Sequence, residues 1–306
     1  MKAKDIIEHM ETMRDDAQRE ILMRFFKTAP GEYGYGDEFL GIKVPQTREV
    51  VKAALAPHHK PLTINPSPFT LNPSPLTINP SPLTIDSVPE LLMSKWHEVR
   101  LCGLLILVAE FEKQAKKRLV NDAGAIKQRN RILAMYLKYA ERANNWDLVD
   151  LSAPKILGHW LMLPIDPHGL PASEEENRKR KVVDELADSD CLWKQRISMV
   201  CTWKPLQMGD SSWCLRYAEK HLHHTHDLMH KAVGWMLREM GKRISEDLLR
   251  DFLSKHGNGM PRTMYRYATE KLKDDDVDKS IHNLTSIGAD AMCKTDEMIL
   301  KIMTSK

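Results

Sequence analysis

The feature that most limits the possible folds is a helical pattern that recurs every 35 residues. Three segments share it, at 193–200 (WKQRISMV), 228–235 (LMHKAVGW) and 263–270 (TMYRYATE), and HEVRLCGL with Arg100 resembles them upstream. Their alignment puts Arg196, Lys231 and Arg266 at one position. A period in this range is typical of helix-hairpin repeats, which stack into a solenoid and line one surface with corresponding residues. Chance similarity among amphipathic helices is the alternative explanation.

Helix start and stop signals support this interpretation. Ser245 is a typical N-cap before an apolar helical pattern, and Gly257 is a typical terminator after it. The preceding helix is predicted to end at Gly241, and Pro261 is predicted to lie in the first turn of the next one. Strand-like alternation is almost absent. We therefore predict an all-α fold of about twelve helices in antiparallel pairs, as a HEAT-like helical repeat solenoid.

Two segments are predicted to be loops. Residues 61–89 form a seven-residue near-repeat that holds eight of the 17 prolines of the chain. Proline at this density removes amide donors and excludes a helix, so this segment is predicted to be a low-complexity loop insertion. Residues 162–181 are the other segment with loop character. Apart from the insertion, residues 1–306 are predicted to form a single repeat domain.

Charge and cysteine content exclude few functions. The formal net charge is only +3, so any binding of nucleic acid depends on how the cations are arranged. Five cysteines without CxxC spacing are typical of reduced thiols in the cytoplasm, where we expect the protein. The longest apolar run, 101–109, is about half of a membrane span, and no export signal is visible.

The segment NNWDLVD at 144–150 places two candidate functional side chains on one helix face. Trp146 and Asp150 are four residues apart, so the indole and the carboxylate project in the same direction. In the structural alternative, Asn144 or Asn145 caps the helix, Asp147 favours the positive N-terminal end of the helix, and Asp150 accepts a hydrogen bond from a neighbouring repeat.

Other sequence motifs give no support for metal or cofactor binding. HLHHTHDLMH at 221–230 places His226 and His230 four residues apart, but it lacks the further ligands that zinc usually requires. We predict a polar turn there and no metal site. The sequence contains no P-loop, no GxGxxG and no GxSxG, so no nucleotide cofactor or hydrolase elbow is expected.

Five blocks taken together resemble a known family. The blocks are FFKTAPGEYGYGDEFLGIKVPQTR (25–48), NNWDLVD (144–150), LWKQRISMV (192–200), HKAVGWMLREMGK (230–242) and MPRTMYRYATEKL (260–272). In this order they are similar to the DNA alkylation repair glycosylases of the AlkD type, which are built from HEAT-like repeats. The resemblance covers the chain from end to end except the proline-rich insertion and part of 162–181.

The resemblance implies a monofunctional glycosylase that removes cationic N3- and N7-alkylated purines from double-stranded DNA without a metal or cofactor. It places the catalytic carboxylate at Asp150, the two lesion-contacting tryptophans at Trp146 and Trp235, and a DNA-backbone contact at Arg196. A further lesion-contacting aromatic falls on Phe25 or Phe26, and the sequence does not decide between them.

Three other cations are expected to add phosphate contacts. The repeat register suggests Lys231 and Arg266, and Arg238 follows Trp235 by three residues on its helix. Together with Arg196 they would line a concave basic groove. The alternative is that Lys231 and Arg266 are solvated or core-capping cations and that Arg238 is the ion-pair partner of an acid on the next helix. Two other functions stay open, namely a non-catalytic HEAT-like protein that binds damaged or branched DNA and a scaffold for proteins. We expect no membrane association and no obligate protein partner.

Overall fold

The computed structural model describes residues 2–56, 63–64, 76–77 and 83–272 of the chain. Its contacts group into two compact units, Met1–Leu148 and Val149–Lys306, called here the first and the second unit. The single domain over 1–306 stays a prediction. No helix of the described residues is long and apolar enough to cross a membrane.

The first unit is built around one buried helix, α5. Its α-helices are α1 (Ala3–Thr12), α2 (Asp16–Phe25), α3 (Val44–Ala54), α4 (Val88–Leu92), α5 (His97–Gln114) and α6 (Ala123–Lys138), and α7 (Trp146–Ser152) begins in it. Helices α3, α4 and α6 pack against α5. Residues 97–108 of α5 are all buried, including the polar side chains of His97, Glu98 and Arg100. From residue 101 to residue 109 the helix is apolar on every side, as expected for a buried helix. Residues 101–108 of the apolar run are therefore core.

The second unit carries the repeat pattern. Its elements are a π-helical segment (Pro154–Gly158) and the α-helices α8 (His159–Leu161), α9 (Ala172–Ala187), α10 (Leu192–Val200), α11 (Trp203–Gln207), α12 (Ser212–Lys220), α13 (Asp227–Arg243), α14 (Glu246–His256) and α15 (Arg262–Thr269). Helix α10 packs on α13 and α13 packs on α15. Arg196, Lys231 and Arg266 are each the fifth residue of their helix. The predicted all-α helical-repeat fold is confirmed.

Helix ends agree with the sequence signals at one site and differ at another. The Ser245 side chain accepts a hydrogen bond from the Leu248 amide, and Gly257 is the C-cap of α14, as predicted. Helix α13 continues past Gly241 to Arg243, so its predicted end is wrong. A Cβ on Gly241 would lie 2.7 Å from a methyl carbon of Leu249. This glycine therefore permits close packing of α14 and does not terminate α13.

The predicted loop at 162–181 is wrong for its second half, because α9 begins at Ala172. Three ion pairs with a spacing of four residues stabilise its first turns: Glu174–Arg178, Glu175–Lys179 and Glu176–Arg180. Each pair has the acid nearer the helix N-terminus, which is the orientation that the helix dipole favours. The basic residues after Asn177 therefore supply the cations of these ion pairs on α9.

The predicted insertion at 61–89 is only partly described. Thr63–Ile64 (β1) and Leu76–Thr77 (β2) pair antiparallel, with Thr63 opposite Thr77. Residues 85–87 form a 3₁₀-helix and Val88 begins α4 with a proline in its first turn. The exclusion of helix is therefore wrong for the last five residues, because proline is compatible with a first turn. Residues 83–84 are described without regular secondary structure, and the remaining residues of the insertion lie outside the described residues.

The described cysteines are free thiols. Cys102, Cys201 and Cys214 are buried. Burial disfavours the thiolate and raises the pKa of Cys102 and of Cys214 to about 12. These three buried thiols are therefore packing residues.

Candidate active site

The predicted catalytic carboxylate lies in a buried ion pair of the second unit. Asp150 on α7 is 1% exposed and Arg196 on α10 is 4% exposed. Arg196 Nε donates to Asp150 Oδ1 at 3.0 Å, and Nη2 donates to Oδ2 at 2.8 Å. Arg196 Nη1 donates to the Leu228 carbonyl at 2.6 Å, so α13 also holds the guanidinium. This bidentate arrangement fixes the plane and the orientation of the carboxylate.

This geometry bears on both assignments made from the resemblance. It agrees with the structural alternative in which Asp150 is bonded to a neighbouring repeat. For Arg196, the predicted exposure to DNA is absent here, because the guanidinium is directed at Asp150 and Leu228. Contact with a phosphate would require the pair to open, and the roles of both residues stay predictions.

The other predicted DNA-binding cations have unlike surroundings. Arg238 is buried and paired with Glu270, at the C-terminal end of α15. Its predicted exposure is therefore absent too. The alternative of an ion pair with an acid describes its position, but the acid follows α15 and does not lie on the next helix, α14. Lys231 is half-buried, with Nζ 2.8 Å from Asp227 Oδ2, whereas Arg266 is exposed. The repeat register is shared, but the predicted row of equivalent exposed cations is not present.

Trp235 lies on α13 of the second unit and is 6% exposed. The preceding Gly234 faces α15, where a Cβ would lie 2.4 Å from the Met264 carbonyl oxygen and 2.5 Å from Tyr267 Cβ. The Gly-Trp dipeptide therefore combines a close helix contact with a buried indole. Contact between Trp235 and a lesion stays a prediction.

Trp146, the first residue of α7, belongs to an aromatic cluster of the first unit. Its ring centroid is 5.7 Å from that of Phe25, edge-on, and 5.3 Å from that of Phe26. Phe26 stacks on Phe39 at 5.2 Å, and Phe39 stacks on His97 at 4.4 Å. Both phenylalanines left open by the sequence thus contact Trp146, with Phe25 half-buried and Phe26 buried.

A buried charged network that the sequence reasoning missed adjoins these rings. His97 Nδ1 is 2.8 Å from Asp37 Oδ2, and Nε2 is 2.9 Å from Asp147 Oδ2. Arg100 also pairs with Asp37. Burial disfavours the imidazolium, but Asp147 and Asp37 outweigh it and raise the pKa of His97 to about 10. Burial also opposes ionisation of Asp37, but His97 and Arg100 lower its pKa below the usual value.

A second carboxylate anchors the loop that supplies Asp37. Glu98 is 2% exposed and accepts hydrogen bonds from three consecutive amides, those of Leu40, Gly41 and Ile42, at 2.8–3.1 Å. The His97 amide donates to the Glu38 carbonyl at 2.7 Å. The first turn of α5 therefore holds residues 37–42 by both backbone and side chain. The available signal was HEVR, a cluster of polar residues at the start of an apolar helix.

The histidine-rich segment makes ordinary hydrogen bonds. His221 bonds the Ser198 hydroxyl at 2.8 Å, and His224 bonds the Gln195 amide oxygen at 2.8 Å. Within the described ranges, no group of three or more His, Cys, Asp or Glu side chains is placed to hold a metal ion. Residues 221–226 form a turn between α12 and α13.

Comparisons with known proteins place the chain in a family. The family described as "DNA alkylation repair enzyme" matches residues 6–65 and 77–272, and the unmatched gap falls within the proline-rich insertion. The fold is similar to that of a solved structure titled "Predicted DNA alkylation repair enzyme from Enterococcus faecalis". The TM-score is 0.52 at 11% identity, covering 85% of this chain and 97% of the other.

Two curated relatives match only a short segment. UPF0597 proteins from Porphyromonas gingivalis and Bacteroides thetaiotaomicron are 62% and 56% identical to the chain over 39 residues. The chain spans 9% of the length of each, so these matches do not bear on its activity. The family match covers most of the chain in two blocks that leave out only residues 66–76 of the insertion between them. The chain therefore belongs to the DNA alkylation repair enzyme family.

Proposed function

We propose that the protein is a DNA glycosylase that excises cationic N3- and N7-alkylated purines from duplex DNA. Family membership supports a DNA repair role. The observation that carries the finer proposal is the carboxylate of Asp150, which is buried and held in one orientation by Arg196. Asp150 is the residue to which the resemblance gives the catalytic role.

The proposed reaction requires little acid catalysis. A purine alkylated at N3 or N7 already carries a positive charge, so cleavage of the C1′–N bond releases it as a neutral base. The bonding electrons stay with the purine, and the sugar becomes an oxocarbenium-like cation. A fixed carboxylate stabilises this cation, and more strongly in a buried site than in water. Water then adds to C1′ and loses a proton to solvent, which leaves an abasic site.

The ion pair between Asp150 and Arg196 gives this mechanism a means of discrimination. A buried carboxylate that loses its partner without replacement is strongly destabilised. We propose that the developing sugar cation competes with Arg196 for Asp150, and that the released guanidinium binds a DNA phosphate. A neutral lesion supplies less positive charge to replace Arg196 and is excised more slowly.

Aromatic and basic residues complete the proposal. Trp146, Trp235 and Phe25 would contact the lesion nucleotide, since aromatic faces attract cations. Lys231, Arg238 and Arg266 would contact phosphates, which supplies affinity and salt dependence but no sequence recognition. For Arg238 this contact also requires its pair with Glu270 to open.

The test is base release from methylated DNA. The purified protein is incubated with the DNA, and free 3-methyladenine and 7-methylguanine are quantified for wild type, Asp150→Asn and Asp188→Asn. Asp188 is a matched control because it forms an exposed ion pair with Lys220 in the same unit. We expect release by wild type and by the control and little by Asp150→Asn. No release by wild type would refute the glycosylase.

The buried state of the Asp150 pair also favours a second candidate, a non-catalytic member of the family that binds damaged DNA. In that case the pair is purely structural. The two candidates differ in one observable, because the second predicts binding to alkylated duplex without any released base.

A further inference from the structure

We infer that His97 is a positioning residue for lesion recognition, because it holds both side chains of the Trp146–Asp147 dipeptide at the start of α7. This inference rests on the proposed function, in which Trp146 contacts the lesion. His97 itself is 2% exposed and so acts through its neighbours.

Among the described residues, one side-chain hydrogen bond, from His97, orients the Asp147 carboxylate. Asp147 is 7% exposed, and its Oδ2 bonds His97 Nε2 at 2.9 Å. Within the described part of the chain, its Oδ1 is buried and has no hydrogen-bond partner. The orientation of this carboxylate therefore depends on His97. Because Asp147 is the second residue of α7, that orientation also constrains the first turn of the helix.

His97 also supports the position of Trp146, through aromatic side chains that lie between them. The His97 ring lies 4.4 Å from Phe39 and 5.0 Å from Phe26, and Phe26 lies 5.3 Å from the indole of Trp146. An imidazolium against phenylalanine faces adds a cation–π attraction to this packing. A change in the position or charge of the His97 ring therefore reaches Trp146 through one intervening side chain.

The charge of His97 is what makes the network complete. A carboxylate oxygen lies within 2.9 Å of each ring nitrogen. Carboxylates only accept hydrogen bonds, so the ring must donate from both nitrogens and carry both protons. His97 and Arg100 then balance Asp37 and Asp147. A neutral side chain at position 97 leaves one buried carboxylate without a donor.

The backbone of His97 is itself fixed. Its amide donates to the Glu38 carbonyl, and the adjacent Glu98 carboxylate holds three amides of the same loop. The ring is thus supported from the backbone side and from Asp37. Such support around a functional residue is what keeps its geometry productive.

The test compares His97→Gln with a matched control, His9→Gln. His9 is also a buried histidine of the first unit, but its Nε2 has no hydrogen-bond partner among the described residues and its pKa is lowered by burial. Excision kinetics on a duplex with one 7-methylguanine are combined with binding to the same undamaged duplex. We expect kcat/KM of His97→Gln to be at least about tenfold lower than that of His9→Gln. The affinities of the two variants for undamaged DNA should agree within about twofold.

A second variant keeps the inference testable if His97→Gln fails to fold. Asp147→Asn keeps the shape of the carboxylate, and we expect it to impair discrimination of damaged from undamaged duplex in the same way. Equal kinetics for His97→Gln and His9→Gln, or an unaffected Asp147→Asn, would overturn the inference.

A readout without activity separates this inference from the proposed function. In NMR spectra at pH 8, we expect the His97 ring to show imidazolium shifts and His97→Gln to move or broaden the indole N–H signal of Trp146. The signal is assigned with Trp146→Phe. An inactive wild type refutes the glycosylase alone. A neutral His97 ring or an unmoved Trp146 signal refutes the positioning role alone.

Discussion

The ion pair between Asp150 and Arg196 makes a quantitative prediction for stability. Both residues are less than 5% exposed and they share two hydrogen bonds. Removal of one partner leaves the other charge buried and unpaired, which typically costs about 3–5 kcal/mol. We therefore expect Asp150→Ala and Arg196→Ala each to lower the free energy of unfolding by about that amount.

The double variant separates pairing from packing. Once both charges are gone, no unpaired charge remains, so the double variant should lose less than the sum of the two single losses. We expect an interaction energy of about 2–3 kcal/mol. Urea unfolding followed by far-UV circular dichroism gives the four free energies. The exposed pair of Asp188 and Lys220 serves as control, and we expect its interaction energy to be about 0–1 kcal/mol.

This comparison of single and double variants can also contradict the prediction. Single losses below about 1 kcal/mol that add without interaction would show that the pair is not formed in solution. The proposed competition between a sugar cation and Arg196 would then have no basis.

Three further predictions concern the first unit. The pKa of His97 is raised from 6.5 to about 10, so its contribution to folding stability is complete below pH 6.5 and is lost as pH rises through about 10. Wild type should therefore lose thermal stability between pH 6.5 and about 10, and His97→Gln should lose much less. Gly34→Ala should destabilise the unit, because its Cβ would meet the Phe26 carbonyl oxygen at 2.3 Å; an unchanged melting temperature would contradict this. Deletion of 66–76, which the family match omits, should preserve the melting temperature, whereas deletion of 61–89 should lower it, since it removes the buried start of α4.

Local patterns in the sequence were sufficient for much of the fold. The recurrence of Arg196, Lys231 and Arg266 corresponds to three successively packed helices, because repeats impose the same register on the same element. The Ser245 cap was visible because it involves residues three apart. The sequence prediction is wrong at α9, where a polar segment resembles a loop. A salt-bridged exposed helix is equally polar, and its signal is the spacing of opposite charges.

The site could be predicted less well from the sequence than the fold, because its contacts join residues that are far apart in the chain. Asp150 and Arg196 are 46 residues apart, and His97 and Asp37 are 60 apart. The resemblance named Asp150 and Arg196 but not their pairing. Asp147 was interpreted only as an acidic residue that favours a helix N-terminus, whereas it accepts a hydrogen bond from His97. Such pairing follows from the packing of helices, which a single sequence does not display.

The most direct test of the central claim is single-turnover excision by wild type and Asp150→Asn. Two duplexes of the same sequence are compared, one with 7-methylguanine, which is cationic, and one with hypoxanthine, which is neutral. The account predicts that wild type releases 7-methylguanine much faster than hypoxanthine and that Asp150→Asn loses most of the faster reaction. Equal rates on both bases, or full activity of Asp150→Asn, would contradict it.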